Sequence, residues 1–283
     1  MGKKAAKKIA RPRVGAHVSS AGGAQNAPVN AHAEGCEVFQ FFSRPPQGGK
    51  APVLTPEIVR NFKVGLQKYS QTAYIHAPYF INLASATPRI RYGSISVLRE
   101  ELERGSQLGV KAMMTHIGSA RDFGEKKAMR KVIDGVQEIL KGYTGTTQFC
   151  VEMSAGAGDI IGDTFEELAE ILSATDRRVG VCLDTCHAFA SGYDLRTSAA
   201  VKKTLSQFDE VIGLEKLVVV HMNDSKGAFG ERKDRHEHIG KGQIGEEGVR
   251  ALLHHPEIRK RDVILETPFE GRVHDISVLK RLR

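Results

Sequence analysis

Apolar and polar positions follow one another in blocks along this chain. Short, largely β-branched apolar runs recur at Arg13–Val18, Glu37–Phe42, Ala73–Ala77, Ala112–Ile117, Phe149–Met153, Val179–Leu183, Leu217–Met222 and Asp262–Leu265, eight in all. Between them lie stretches with apolar residues at helical spacing. Thr55–Tyr69 carries Ile58, Val59, Phe62, Leu66 and Tyr69. Ser94–Leu108 carries Ile95, Leu98, Leu102 and Leu108, and Lys126–Leu140 carries Met129, Val132, Ile133, Val136, Ile139 and Leu140. Thr164–Leu172 opens with Thr164 three residues before Glu167, a capping box. Thr197–Phe208, Glu246–Leu253 and Asp275–Leu282 follow. The first such stretch, Ala24–Ala33, is the weakest, with Pro28 near its start.

Strand and helix alternating eight times, with strands apolar almost throughout, predicts an α/β fold: a single closed parallel (β/α)8 TIM barrel. Such a barrel takes about 250 residues. That matches residues 13–283 of the 283-residue chain and leaves residues 1–12 as a basic, flexible tail. A doubly wound open sheet would be expected to carry GxGxxG after its first strand, and Gly22 and Gly23 do not fit that spacing.

Composition narrows the class. No apolar run approaches the roughly 20 residues that cross a membrane. MGKKAAKKIARPR has no apolar core, so a secretory signal is not expected and a cytoplasmic location is. Cys36, Cys150, Cys182 and Cys186 suit buried thiols better than a disulfide framework. The net charge of +8 and a pI of about 9.3 fit a polyanionic partner. Lys3, Lys4, Lys7, Lys8, Arg11 and Arg13 contribute to it, either as a solvated tail or as an arm that meets phosphates.

Barrel active sites lie at the C-terminal strand ends. There the runs deliver His76, His116, Glu152, Asp184 with His187 three residues on, His221 with Asp234 and His236 in its loop, and Glu266. Singly, each has an ordinary structural reading as a hydrogen-bonded core histidine, a cap or an ion-pair partner. Together, four carboxylates and five imidazoles on one face need counter-charge, which divalent metals supply. The mixture suits zinc, manganese or iron, and no cysteine stands at these positions. Nine ligands exceed what one ion takes and, with one bridging carboxylate, suit three. Such clusters stabilise both the attacking and the leaving oxygen of a phosphoester.

At these residues the chain resembles the endonuclease IV family of apurinic/apyrimidinic endonucleases. The motifs run from GAHVSSAGG at Gly15–Gly23 through IHAPYFINLAS (Ile75–Ser85), THIGS (Thr115–Ser119), VEMSAGAG (Val151–Gly158), LDTCHAFASGYD (Leu183–Asp194), HMNDSK (His221–Lys226) and DRHEHIGKGQIG (Asp234–Gly245) to LETPFEG at Leu265–Gly271. The resemblance implies three zinc ions, with manganese or iron acceptable at one position. His76, His116 and Glu152 would hold the first. Glu152 would bridge to the second, held also by Asp184, His221 and Glu266, and His187, Asp234 and His236 would hold the third. It further implies Glu152 and Glu266 as catalytic groups, a metal-bridging hydroxide as nucleophile and Glu266 orienting the attacking water. His17, His32, His254, His255 and His274 match no ligand position, and His238 would support the ligands from behind.

The implied partner is double-stranded DNA with abasic sites or blocked 3′ ends, cut 5′ to the lesion by a monomer without an obligate protein partner. Tyr79 and Phe80 match a loop that enters the duplex, although Phe80 could instead belong to the core. A second such loop, which in the family usually carries an arginine, a polar residue and a tryptophan, reads here as Gln47, Gly48 and Gly49, and the chain has no tryptophan. Arg44 or Lys50 would have to compensate, and Gly240–Gly242 would lie along the DNA backbone. A one-metal sugar isomerase or epimerase of a related barrel would need only Glu152, Asp184, His221 and Glu266. A non-catalytic DNA-binding relative would be expected to lack a ligand.

Overall fold

The structure, a computed structural model, describes residues 11–283. The basic segment 1–12 lies, up to residue 10, outside the described residues. Eight parallel strands close into a barrel: β1 (Val14–His17), β2 (Val38–Phe41), β3 (Thr72–His76), β4 (Ala112–Thr115), β5 (Gln148–Glu152), β6 (Gly180–Asp184), β7 (Leu217–His221) and β10 (Asp262–Leu265), with β10 pairing to both β7 and β1. Two short antiparallel strands, β8 (Asp224–Ser225) and β9 (His236–Glu237), form a hairpin in the loop after β7. The helices are α1 (Ala27–Ala33), α2 (Pro56–Lys68), α3 (Pro88–Leu108), α4 (Glu125–Leu140), α5 (Phe165–Ser173), α6 (Thr185–Ala190), α7 (Ser198–Val211), α8 (Gly245–His254) and α9 (Arg272–Leu282).

Every apolar run expected to be a strand contributes one. Helix α1 follows a 3-10 turn at Ala24–Asn26 and begins next to Pro28, whose missing N–H costs nothing in a first turn. Helix α3 begins six residues earlier than its apolar spacing suggests, because Pro88 opens it and its first turn is exposed. Thr164 caps α5 through the amide of Glu167, as the capping-box spacing predicts.

Side chains alternate between two apolar layers, as the twofold period of a strand requires. Phe39, Ile75, Met113, Val151 and Leu183 pack outward among the helices. Val38, Tyr74, Met114, Cys150, Cys182, Val219 and Ile264 fill the barrel interior. Two residues further along these strands, the same inward parity delivers Gln40, His76, His116, Glu152, Asp184, His221 and Glu266 to the rim, and β1 ends there in His17. The packed interior is therefore the floor of the site.

The opposite end of the barrel is closed by Asp262, the first residue of β10. Arg13 donates to both of its oxygens at 2.9 Å, the Tyr74 hydroxyl donates from within the barrel, and Lys111 lies at 3.2 Å. Burial pushes this carboxyl up, but the hydrogen bonds from Tyr74 and Arg13 and the nearby Lys111 charge hold it below its ordinary value. A depressed carboxyl stabilises the fold fully above its unfolded value of about 3.9 and loses that contribution as pH falls through the folded value. Asp262→Asn should therefore cost about 1–3 kcal/mol at pH 7. In urea unfolding of the chelated protein, the gap to wild type should shrink as the pH is lowered towards about 3. A gap that stays constant with pH would disprove the role given to the charge.

Candidate metal centre

All nine rim residues singled out in the sequence meet in one place. The ligating atoms of His76, His116 and Glu152 lie within 4.8 Å of one another, and so do those of Glu152, Asp184, His221 and Glu266, and those of His187, Asp234 and His236. Glu152 belongs to two of these groups. Its Oε2 is 2.9 Å from His76 Nε2, and its Oε1 is 3.0 Å from His221 Nδ1. His187 Nε2 lies 3.2 Å from Asp234 Oδ1, and His236 Nε2 lies 3.6 Å from Asp184 Oδ2.

Local structure explains how each arrives. Asp184 ends β6 and is also the N-cap of α6, where its Oδ1 accepts the His187 amide at 2.9 Å. That cap swings His187 back over the barrel. In the loop after β7, Asp224 is buried and accepts from the amides of Ser225, Gly240, Gly242, Ile244 and Gly245. A Cβ on Gly242 would lie 2.4 Å from the Ser225 carbonyl oxygen and 2.5 Å from Asp224 Oδ1, so only glycine fits there. The loop, thus anchored, pairs β8 with β9 and presents His236. In the stretch Gly240–Gly242 the amides of Gly240 and Gly242 face inward onto Asp224, while Gly240 and Lys241 are exposed.

The charges are arranged as the chemistry demands. Burial pushes Glu152 up, but the His116, His221 and His76 rings hold it well below the usual carboxylate range. Glu266 behaves alike, chiefly through His221. Burial disfavours charge on His187, yet Asp184, Asp234 and Glu152 raise it to about 10, and Asp234 in turn falls to about 2. Burial is likewise overcome at His76 by Glu152 and at His221 by Cys182, Glu266 and Glu152 in that order. Without metal, protons on these rings balance the carboxylates. Divalent cations fit the same places, because oxygen and imidazole donors already converge there. Two thiols also approach: Cys182 lies beside Glu152 and His221, and Cys186 beside Asp184 and His236. Burial pushes both up to about 12, so they stay protonated. The sequence shows no cysteine at a ligand position, yet the fold brings these two against the cluster.

Sequence reasoning passed over Gln40, His17 and Asn223. Gln40 is fully buried in β2, and its amide donates to Glu266 Oε1 at 2.7 Å while its carbonyl faces His221 Nε2 at 2.8 Å. The carboxylate demands the amide's donor, so the amide oxygen faces His221 Nε2, which must then carry hydrogen. Nδ1 is left facing Glu152 and Glu266. His17 Nδ1 lies 3.0 Å from the same amide and 3.8 Å from Glu266. Asn223 donates to Asp184 Oδ2 at 2.6 Å and accepts the Glu266 amide. A polar residue at inward parity in the apolar run VFQF was the signal for Gln40.

Other expected positions change. His238 bonds Asp275 at 2.7 Å and pins the loop to α9; its hydrogen bond does not go to one of the nine. Arg44 is buried, its guanidinium bound to Glu101 at 2.7 Å and Glu100 at 2.5 Å, so it is not offered at the surface as a DNA contact. Gln47 and Lys50 are exposed. Gly48 and Gly49 have φ of 122° and 106°, a backbone that side chains rarely adopt, so the path of this loop favours glycine at both positions. Tyr79 is 68% exposed beside Phe42, and Phe80, at 39%, is not a core residue.

A protein family described as the xylose isomerase-like TIM barrel matches residues 29–282. A relative from Halothermothrix orenii, named probable endonuclease 4, is 36% identical over 275 residues, covering 96% of this chain and 99% of its own length. Among solved structures, endonuclease IV from Thermus thermophilus superposes with a TM-score of 0.86 at 34% identity, over 96% of this chain and 98% of its own. A D-tagatose 3-epimerase-like protein has a TM-score of 0.73 at 19% identity, over 95% of this chain and 96% of its own, and shares the fold.

The geometry makes two predictions. Gln40→Leu leaves Glu266 and His221 without their common partner and should weaken metal retention roughly 10–100-fold in competition with a chelator; unchanged retention would show that the amide orients nothing. Because His76, His187 and His221 hold protons above the ordinary histidine range, metal must displace those protons. Zinc binding at pH 7 should then release protons into an unbuffered indicator solution, and affinity should fall as pH is lowered. Binding without proton release would contradict the charge balance described.

Proposed function

The chain belongs to the endonuclease IV family, and from that footing we propose that it hydrolyses the DNA phosphodiester on the 5′ side of abasic sites. The products would be a 3′-hydroxyl and a 5′-deoxyribose phosphate, with trimming of blocked 3′ ends as a related activity. The observation that carries this reading is the grouping of nine donors into three sets, two of which share Glu152. His76, His116 and Glu152 would hold one zinc ion, Glu152, Asp184, His221 and Glu266 a second, and His187, Asp234 and His236 a third. When bound, such ions act as Lewis acids and lower the pKa of water to near neutrality.

The chain's own residues then account for the rest. Gln40 and His17 hold one oxygen of Glu266, which leaves the other facing the cluster beside His221. Glu266 would orient the attacking water and accept its proton. Glu152 keeps two of the three sets in register because each of its oxygens faces a different histidine. Tyr79 lines the mouth, Phe80 follows it exposed beside Gly48, and both would fill the gap in the base stack, with Gln47 and Lys50 on the neighbouring loop meeting the DNA backbone. A missing base lowers the cost of swinging the sugar out, so the lesion supplies part of its own selectivity. A one-metal sugar isomerase shares this fold and needs only four of the nine residues. It leaves His76, His116, His187, Asp234 and His236 unexplained.

Incubation with a duplex carrying one abasic-site analogue should give a single cut, abolished by chelator. Glu152→Gln should lose cleavage together with at least one bound ion, while circular dichroism stays at wild type. Metal analysis should find close to three zinc per chain. One manganese per chain with sugar isomerisation would establish the other reading, and retained cleavage in Glu152→Gln would remove the shared role of that carboxylate.

A further inference from the structure

Two chambers open on the C-terminal rim. One, of ≈ 410 Å³, is the mouth of the metal centre, lined by His76, His116, His187, His236 and Glu266 among others. The second, of ≈ 490 Å³, lies among the loops after β1, β2 and β10 and has no part in the chemistry described so far. His17 and Arg272 line both, so the two chambers adjoin across those side chains.

The second chamber differs in character. Phe42, Pro45, Pro46 and Leu54 wall it, and Val53 and Phe269 line it as well. No acidic side chain lines it, whereas the metal mouth includes Asp234 and Glu266. Among the large hydrophobic side chains of the described residues, Val53 at 72%, Phe269 at 70% and Tyr79 at 68% are the most exposed, and all three line one or other chamber. Apolar surface gathered in this way, rather than scattered, marks a place that something covers. Phe269 is also held in position. The Arg272 guanidinium lies over its ring at 5.0 Å, and Glu34 fixes that guanidinium through two hydrogen bonds at 2.9 and 2.8 Å. Those bonds use Nε and Nη2. Among the described residues, Arg272 Nη1 has no hydrogen-bond acceptor and remains available to a phosphate or a base carbonyl.

We propose that this chamber receives a nucleobase of the bound DNA, from a nucleotide next to the lesion, stacked on Phe269 and flanked by Arg272. The proposal rests on the DNA-hydrolase reading above. The volume lies within the range of roughly 300–1,000 Å³ usual for small-ligand sites. Every base offers a π-face to an aromatic side chain, so such a site would hold DNA without reading its sequence.

The test compares deoxyadenosine monophosphate with deoxyribose 5-phosphate in equilibrium dialysis against the metal-loaded protein. The two ligands share their phosphate and sugar, so contacts at the metals cancel. The nucleotide should bind roughly tenfold tighter. Ala21→Trp, on the exposed loop that lines the chamber, should abolish the difference by filling the space, and Phe269→Ala should reduce it. Equal binding of the two ligands by wild type overturns the proposal, and so does a preference that survives in Ala21→Trp. Phe269 is a surface residue, so its truncation remains informative if Ala21→Trp does not fold. The same preparation is assayed on an abasic duplex. Cleavage without the nucleotide preference removes the chamber alone, whereas preference without cleavage removes the endonuclease reading and leaves the chamber standing.

Discussion

Glu152 is wholly buried with three imidazoles around it, and the rim of this barrel is organised by the need to keep that arrangement neutral. Unlike charges at hydrogen-bond distance in a poorly solvated site interact strongly, and an unmatched one is expensive. The floor beneath is apolar and close-packed, so no water can screen the cluster from below. Balance has to come from the side chains themselves, from protons or from bound cations. Gln40, Asn223 and His17 take their places from this requirement. Each fixes which oxygen or nitrogen of a charged neighbour faces the centre.

The same problem is solved differently elsewhere in the chain. Asp224 has no imidazole partner; five backbone amides from a glycine-rich loop surround it. Asp262 is matched by a guanidinium, an ammonium and a phenol at the far end of the barrel. The amide solution stiffens the loop that carries Asp234 and His236. The ion-pair solution closes the barrel where β1 and β10 begin. Three buried acids, each with its own type of counterpart, thus hold the centre, the loop beside it and the base of the barrel.

Much of this was legible in the chain. Each barrel strand announced itself as an apolar run, and seven of them, counting His17 on β1, carried a titratable group at the same inward parity at or just beyond their ends. The remainder was hidden for identifiable reasons. Gln40 obeys the same parity but is uncharged, so a search for ligands passes over it. Helix α6 has no linker before it, since Asp184 serves strand and helix at once. The β8–β9 hairpin is two residues wide and has no periodicity to find. Arg44 reads as a surface arginine until Glu100 and Glu101 arrive from α3, a pairing of distant residues that sequence does not display. Phe80 was undecided because exposure at a rim depends on how neighbouring loops part.

Asp184 ends a strand, caps a helix and faces the cluster, with His187 one helical turn beyond. In an α-helix each added residue turns the next side chain by about 100°. One insertion or deletion between positions 184 and 187 would therefore point the imidazole away from the other donors, and nothing between strand and helix could absorb the change. The segment between Ser225 and Asp234 is tied less directly: Asp224 and the hairpin secure its ends, and its inner bonds, from the Gly230 and Arg232 amides to the Phe189 and Ala190 carbonyls and from Arg232 to Asp163, do not set the direction of a donor in the cluster. Descendants of this chain should thus vary in length at 226–233 while keeping the spacing at 184–187 fixed, a difference in evolutionary freedom between two stretches that serve the same centre.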